Sequence, residues 1–369
     1  MSGPAVFLSA GEASGDRHAA MLARALQDAA PGCRLAGIGG EGMAAAGVRL
    51  VHHMRALQAV GVVEAVGSLP AHLRALRVAR HELRDGGYDV VVIVDYPGFH
   101  RRVAAVAAGL GIPVLSYIAP QFWAWAPWRA TGHRRVVTHT AVILPFEERF
   151  FQERSVPATY VGHPLMDAPR VTRAEARTRL GIAANSVVLG VFPGSRPQER
   201  ATLWPPFRDA AAILVRSHPN LHVLVAGAPD TSCDGLDSLG GALASAELVA
   251  AAADAAIAKS GTTTLELALA GTPHVLAYRV HPVTYAVARL VVSVPYVGLV
   301  NLVLDRAVVP EVLQAAVQPV ALAEIVEDLL EGGSPTASRQ RAAFVELAGR
   351  LGPAGAARRT ANLVLDLVA

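Results

Sequence analysis

Apolar residues along this chain fall into short unbroken runs separated by stretches of helical spacing. The runs AVFLSA, CRLAGIG, YDVVVIVDY, IPVLSYIA, AVILPF and ATYVG are each about five to nine residues long, and most are rich in branched aliphatics. Between several of them lie segments such as DRHAAMLARALQDAA, where Ala20, Leu22, Ala23 and Leu26 recur at helical intervals. Strands that are apolar on both faces and alternate with helices predict a parallel sheet covered on both sides. After the polar stretch DAPRVTRAEARTRLGI the pattern restarts with VVLGVF, LHVLVAGA, AAIA and HVLAYR. The pattern therefore predicts an α/β protein of two doubly wound domains, residues 1–165 and 166–340, joined near 163–180. From about residue 318 the spacing of Leu329, Leu330, Phe344, Leu347, Leu363 and Leu367 is helical, and residues 341–369 are expected as a helical tail.

One segment competes with this picture. Val103–Trp128 has no charged residue and is long enough to span a bilayer, but Gly109, Gly111, Pro113, Pro120 and Pro127 interrupt it. It is read instead as a helix, a buried strand and an aromatic loop. At the N-terminus, AVFLSA runs directly into Gly-Glu without a basic region or a long apolar core, so no signal peptide is expected.

Composition changes the picture little. The 369 residues are 52% hydrophobic and 17% charged, which fits two globular cores. Two cysteines, Cys33 and Cys233, make neither a disulfide framework nor a metal cluster and favour a reducing compartment. The net charge of +3 rests on evenly spread arginines without a nucleic-acid motif, so no nucleic-acid partner is expected.

Ligands of such domains bind at the carboxyl ends of the strands, so the loops there hold the candidate chemistry. SAGEASGD (Ser9–Asp16) follows the first strand; it is either an anion-binding turn or an ordinary capped turn. GIGGEG (Gly37–Gly42) matches G-x-G-x-x-G but follows the second strand, and no suitably placed acidic residue follows it. Asp95 ends the most apolar strand, VVVIVDYPGF, as a candidate general base or a structural carboxylate. PQFWAWAPWR (Pro120–Arg129) carries three of the four tryptophans, suited to packing or to the edge of an apolar or sugar ligand. Val60–Leu83 pairs Leu69, Leu73 and Leu76 with Arg74, Arg77 and Arg80, as a solvated helix face or a membrane-surface helix would. In the second half, FPGSR (Phe192–Arg196) offers Gly194 and Ser195 amides and the Arg196 fork to a diphosphate. AKSGTTTLELALAG (Ala258–Gly271) holds the only lysine and opens a helix at Gly261, Thr262 and Thr263, with Glu266 one turn in. It lacks the P-loop glycines.

Taken in order, AGEASGD, VDYPGF, SYIAPQFWAW, LPFEERFF, YVGHPLMD, FPGSR, SGTTTLE, YRVHPVTY and YVGLVNLVLDRAVVPEVLQ make the chain resemble the lipid-A-disaccharide synthases over most of its length. The resemblance implies two tandem Rossmann-like domains of the GT-B type with an interdomain cleft. It implies an inverting transfer of a diacylated glucosamine from UDP to the 6-hydroxyl of a diacylated glucosamine 1-phosphate. By the same resemblance Asp95 is the catalytic base. Gly194, Ser195, Arg196, Ser260, Gly261 and Thr262 would hold the donor diphosphate, and Glu266 the ribose. Asn301, Glu311 and Gln314 would line the donor cleft, while Glu12, Ser14, Gly15, Asp16 and Gln121 would face the acceptor. No metal or cofactor is implied, because arginine and helix-terminal amides can stabilise leaving UDP. Acylated substrates turn residues 60–83 into an expected membrane contact, placing the protein on the cytoplasmic face of the inner membrane. A homodimer is compatible with it. The chain departs from the family at Gly98, which replaces a second carboxylate, at Lys259, and in a Gly-rich segment between Ala228 and Glu247. Two alternatives share the donor site: an isomerase similar to UDP-N-acetylglucosamine 2-epimerases, and a transferase with another acceptor.

Overall fold

The computed structural model describes residues 3–57, 69–228, 231–281, 285, 291–292 and 294–369. It divides into two compact units: Met1–Ala168 with Leu351–Ala369, and Pro169–Arg350.

Unit one is built on a seven-stranded parallel sheet in the order β3-β2-β1-β4-β5-β6-β7. Its strands are β1 (Ala5–Ala10), β2 (Arg34–Gly39), β3 (Arg49–His53), β4 (Val90–Val94), β5 (Val114–Tyr117), β6 (His139–Val142) and β7 (Ala158–Tyr160). The two-residue period of a strand sends its side chains alternately to two separate cores. Val90, Val92 and Val94 of β4 join Leu22 and Leu26 on one side. Val91 and Ile93 join Phe7, Leu83 and Phe99 on the other. Continuous apolar runs therefore mark strands whose two faces are both covered.

Helices cover those faces. They include α1 (Ala13–Ala29), α2 (Glu41–Ala45), α3 (Leu69–Asp85), α4 (Pro97–Gly109), α5 (Phe122–Trp125), α6 (Ala130–Arg134) and α7 (Glu147–Gln152). The expected helix around Ala20, Leu22, Ala23 and Leu26 is α1, and these four side chains are buried. No helix among the described residues is long and apolar enough to cross a membrane.

Unit two repeats the plan with a six-stranded parallel sheet ordered β10-β9-β8-β11-β12-β13. The strands are β8 (Val187–Phe192), β9 (Leu221–Ala226), β10 (Ala242–Ala244), β11 (Ala255–Lys259), β12 (His274–Tyr278) and β13 (Glu311–Leu313). Among its helices are α8 (Arg173–Leu180), α9 (Pro197–Ser217), α10 (Ala246–Ala252), α11 (Thr262–Leu269), α12 (Leu299–Leu304), α13 (Pro319–Leu330) and α14 (Pro335–Arg350). The Gly-rich segment before Glu247 does contain a strand, β10, paired with β9.

The expected tail is divided rather than separate. α14 belongs to unit two, whereas the last helix, α15 (Ala356–Asp366), belongs to unit one. Its Ala361 and Val364 enter the core that holds Leu22 and Leu26 of α1. The Asp167 carboxylate accepts from the first amides of α15, at Gly355, at Ala356 (3.2 Å) and at Ala357 (3.1 Å). Arg359 Nε donates to Val161 O at 2.7 Å. A carboxylate at a helix N-terminus satisfies orphan donors and complements the dipole, so Asp167 fastens the returning segment.

The stretch expected at a membrane is only partly described, since residues 58–68 lie outside the described set. α3 covers the rest, and its Ala75, Ala79 and Leu83 are buried in unit one's core. That packing takes up most of the apolar face. Leu73, 44% exposed, and the exposed Arg74, Arg77 and Arg80 remain at the surface.

Candidate active site

In each sheet the strand order reverses beside its first strand, between β1 and β4 and between β8 and β11. Loops leaving such neighbours diverge and open a crevice at the carboxyl ends. In unit one the loop after β1 carries Glu12, and Asp95 directly follows the end of β4 at Val94.

Asp95 and Tyr96 both adopt left-handed backbone, with φ of 50° and 51°. Each such residue costs about 1–2 kcal/mol, so the surroundings must enforce it. Asp95 N–H donates to Tyr117 O at 3.1 Å, and the Tyr96 hydroxyl donates to Leu57 O at 2.8 Å. The buried His100 completes the clamp. Its Nδ1 faces the Asp95 carbonyl, which can only accept, so Nδ1 carries the proton and Nε2 accepts from Ser9 Oγ at 2.9 Å. Burial holds the His100 pKa down to about 4, keeping it neutral.

Burial also raises the Asp95 pKa to about 6, helped by the neighbouring Glu12 carboxyl, which shares a hydrogen bond with it. Ser14 Oγ donates to Glu12 Oε1 at 3.1 Å. A cavity of about 180 Å³ opens against Asp95 and is lined also by His100, Arg101, Trp128, Arg129 and His133. A carboxylate with a pKa near neutrality, facing a cavity, has the properties of a general base.

The other residues expected at the acceptor fare differently. Asp16 is buried, and its carboxylate accepts from the amides of Gly40 (2.7 Å), Gly42 (2.8 Å) and Met43 (3.2 Å). Gly37–Gly42 is thus an anion-binding loop whose anion is the protein's own Asp16. This accounts for the dinucleotide-like spacing and gives the Asp16 carboxylate three backbone partners. Gly15 is buried beneath the loop, and Gln121 is exposed outside the cavity lining.

Sequence reasoning missed Glu147. It is buried and accepts from Trp123 Nε1 (2.9 Å), Ile143 N (3.1 Å) and Leu144 N (2.9 Å). Burial pushes its pKa up to about 7 despite those donors. It anchors the tryptophan-rich loop to α7. The only trace in the sequence is that LPFEERFF and QFWAW are both unusually aromatic.

In unit two, β8 and β11 pair side by side, with Phe192 opposite Ala258, so FPGSR and KSGTT leave adjacent strand ends. Gly194 has φ of 112°, and a Cβ there would lie 2.6 Å from Glu199 Oε2. Gly261 has φ of 152° and serves as N-cap of α11 without any side-chain cap. Both positions need glycine, and both leave backbone amides at a positive helix end. Ser195, Arg196 and Thr262 are exposed, and Glu266 is half-buried within α11. Lys259 Nζ is held by Glu199 Oε1 at 2.9 Å, tying the two loops together.

Asn301 and Glu311 are supports rather than open ligand groups. Asn301 is buried; its Oδ1 accepts from Val308 N and Val309 N, and its Nδ2 donates to Val309 O and Glu311 Oε1. Those four bonds exhaust its capacity. Glu311 also accepts from Val297 N (2.9 Å) and Gly298 N (3.0 Å) at the start of α12. Val297 O in turn accepts from Ser260 Oγ at 3.1 Å. Asn301 and Glu311 therefore brace the turn at Ser260 from behind. Gln314, with φ of 53°, pairs its side-chain amide with both backbone groups of Val280 at 3.0 and 3.3 Å.

Comparison with known proteins gives this geometry a context. The family profile described as lipid-A-disaccharide synthetase matches residues 6–350. A lipid-A-disaccharide synthase of Trichlorobacter lovleyi is 38% identical over 98% of this chain and 97% of its own. Among solved structures, the calicheamicin glycosyltransferase superposes with a TM-score of 0.62 at 18% identity, over 100% of this chain and 98% of its own. A Neisseria meningitidis UDP-GlcNAc 2-epimerase bound to UDP-GlcNAc gives 0.65 at 11% identity, over 98% and 99%. These structures share the GT-B fold of two Rossmann-like domains, and at such low identity they speak to fold alone. Identity maintained across nearly the whole length, with one profile spanning both sheets, shows that the chain belongs to the lipid-A-disaccharide synthetase family.

Proposed function

We propose that this chain joins UDP-2,3-diacylglucosamine to 2,3-diacylglucosamine 1-phosphate, giving lipid A disaccharide 1-phosphate and UDP. The observation that carries the reading is Asp95, set at a strand end against a cavity, with its pKa raised to about 6. Asp95 takes the proton of the acceptor 6-hydroxyl as that oxygen attacks the donor's anomeric carbon. The bond from that carbon to the diphosphate oxygen breaks on the opposite face, so configuration inverts and UDP leaves with the electron pair. The Gly194–Arg196 and Ser260–Thr262 loops of unit two hold the diphosphate, whose charge grows as the bond breaks, and Glu266 accepts from the ribose hydroxyls. Asn301 and Glu311 act by holding the turn at Ser260, and Gln314 by holding the chain at Val280.

The outward face of α3, with Leu73, Arg74, Arg77 and Arg80, supplies a basic surface for anionic lipid, which suits acylated substrates. An isomerase needs the donor loops but no acceptor cavity at Asp95, and nothing specific favours it here. The test is mass spectrometry of products from the two acylated substrates. Disaccharide phosphate and UDP are expected from the wild type and not from Asp95→Asn. Absence of both products with the wild type would refute the assignment.

A further inference from the structure

The cavity against Asp95 contains two guanidinium groups that proton transfer at Asp95 does not use. Arg101 projects from α4, and Arg129 lies just before α6; both line the cavity. A Cβ on Gly132 of α6 would stand 3.7 Å from Arg101 Nη2, so Arg101 reaches the helix that Arg129 precedes. The Arg129 guanidinium carbon lies over two aromatic rings, 5.4 Å from the Phe122 centroid and 5.0 Å from that of Trp125. Cation–π attraction holds the head group there, and a planar guanidinium can meet a phosphate through two N–H donors. Among the described residues neither arginine has a carboxylate partner.

The charge balance of the cavity points the same way. Among the described residues Asp95 is the only carboxylate lining it, with Glu12 hydrogen-bonded behind it, and burial keeps His100 and His133 neutral. Two cations thus line the cavity with the one carboxylate of Asp95. At about 180 Å³ the cavity holds the head of a ligand, not its acyl chains, since whole small-molecule sites run to roughly 300–1,000 Å³. Trp125 and Trp128, 43% and 66% exposed, offer apolar surface beside it.

We propose that Arg101 and Arg129 form a subsite for a sugar phosphomonoester, fixing the acceptor by its phosphate while Asp95 meets its hydroxyl. This rests on the transfer reading above. The phosphate acts as a handle that sets which hydroxyl reaches the base.

The test is a titration of the intact chain with glucosamine 1-phosphate, read by tryptophan fluorescence, because three of the four tryptophans lie in Pro120–Arg129. Saturable binding is expected and should persist in saturating UDP. Arg101→Ala should weaken it about tenfold, Arg101→Ala with Arg129→Ala further, and Arg129→Lys by an intermediate amount. Unphosphorylated glucosamine should not distinguish wild type from the double variant. Arg101 is exposed, so its single variant reports binding without disturbing the core. No wild-type binding, equal affinity in the double variant, or displacement by UDP would each overturn the subsite. UDP release from the acylated substrates is scored in parallel. If it is absent while arginine-dependent phosphate binding is retained, the transfer reading fails and the subsite stands.

Discussion

At the scale of single residues, Asp95 concentrates the chemistry and therefore the clearest expectations. Asp95→Asn should lower kcat by about 10²–10⁴-fold, the usual share of a general base. In the wild type, kcat/KM should rise with pH through about 6 as the carboxyl ionises. Stability should move the opposite way. A raised folded-state pKa means that the native protein holds this proton more tightly than the unfolded chain does. Its contribution is therefore full below the usual aspartate pKa and lost as pH rises through about 6. Asp95→Asn removes that cost, and asparagine also tolerates left-handed backbone well. At pH 7.5 it should gain roughly 1–3 kcal/mol, seen as a higher Tm that disappears at pH 4. The same scale shows what the sequence does not display about the candidate site residues. Asp16, Asn301 and Glu311 stand in the expected motifs, and the structure adds that they hold backbone amides and, for Asn301 and Glu311, each other. A sequence displays a donor or acceptor, not its partner. Asn301→Ala should cost unit two about 2–4 kcal/mol, because the Val308 and Val309 amides lose their acceptor and Glu311 a donor. A calorimetric Tm series checks this.

At the scale of elements, legibility followed burial. Each of the ten apolar runs read as strands is one, and the three strands not foreseen are β3, β10 and β13. All three lie at sheet edges. An edge strand is covered on fewer sides, so it can be short and carry polar residues, as RLVHH and EVL do. Helix α11 was legible because SGTT and Gly271 mark its two ends, yet the role of Lys259 was not. Its partner Glu199 lies on α9, sixty residues away in the chain. Lys259→Ala removes one of the two cations paired with Glu199, Arg196 being the other, and leaves more negative charge beside the proposed diphosphate loop. It should weaken UDP binding severalfold, and Glu199→Gln in the same protein should recover most of that loss. Titration calorimetry decides between this and a direct phosphate contact, for which the second substitution would give no recovery. Glu266→Ala should weaken UDP more than Lys259→Ala does.

At the scale of the whole molecule, the two parallel sheets were legible from the repeated strand-helix alternation, whereas their strand orders were not. The return of the chain to unit one was not, because α15 has the amphipathic spacing of any surface helix. Its destination is set by α1 and by Asp167, both far away in sequence. Removing residues 351–369 should therefore destabilise the unit that begins the chain, not the one they follow. Hydrogen exchange should show β1, β2 and α1 losing protection while β8 and β11 keep theirs. Asp167→Ala should reproduce a milder form, costing about 1 kcal/mol for a lost helix cap.

The fastening of α15 also sets an order in time. As the chain is synthesised, unit one appears first, but the surface of α1 that receives Val364 has no cover until Pro169–Arg350 has also been made. At about 5–20 residues per second, that interval is roughly 10–40 s. During it, Leu22 and Leu26 lack their partner, and unit two can close completely on its own. The second unit in sequence is thus the first that can be finished, and a nascent chain arrested before α15 carries a complete donor-side unit beside an unfinished Asp95 unit.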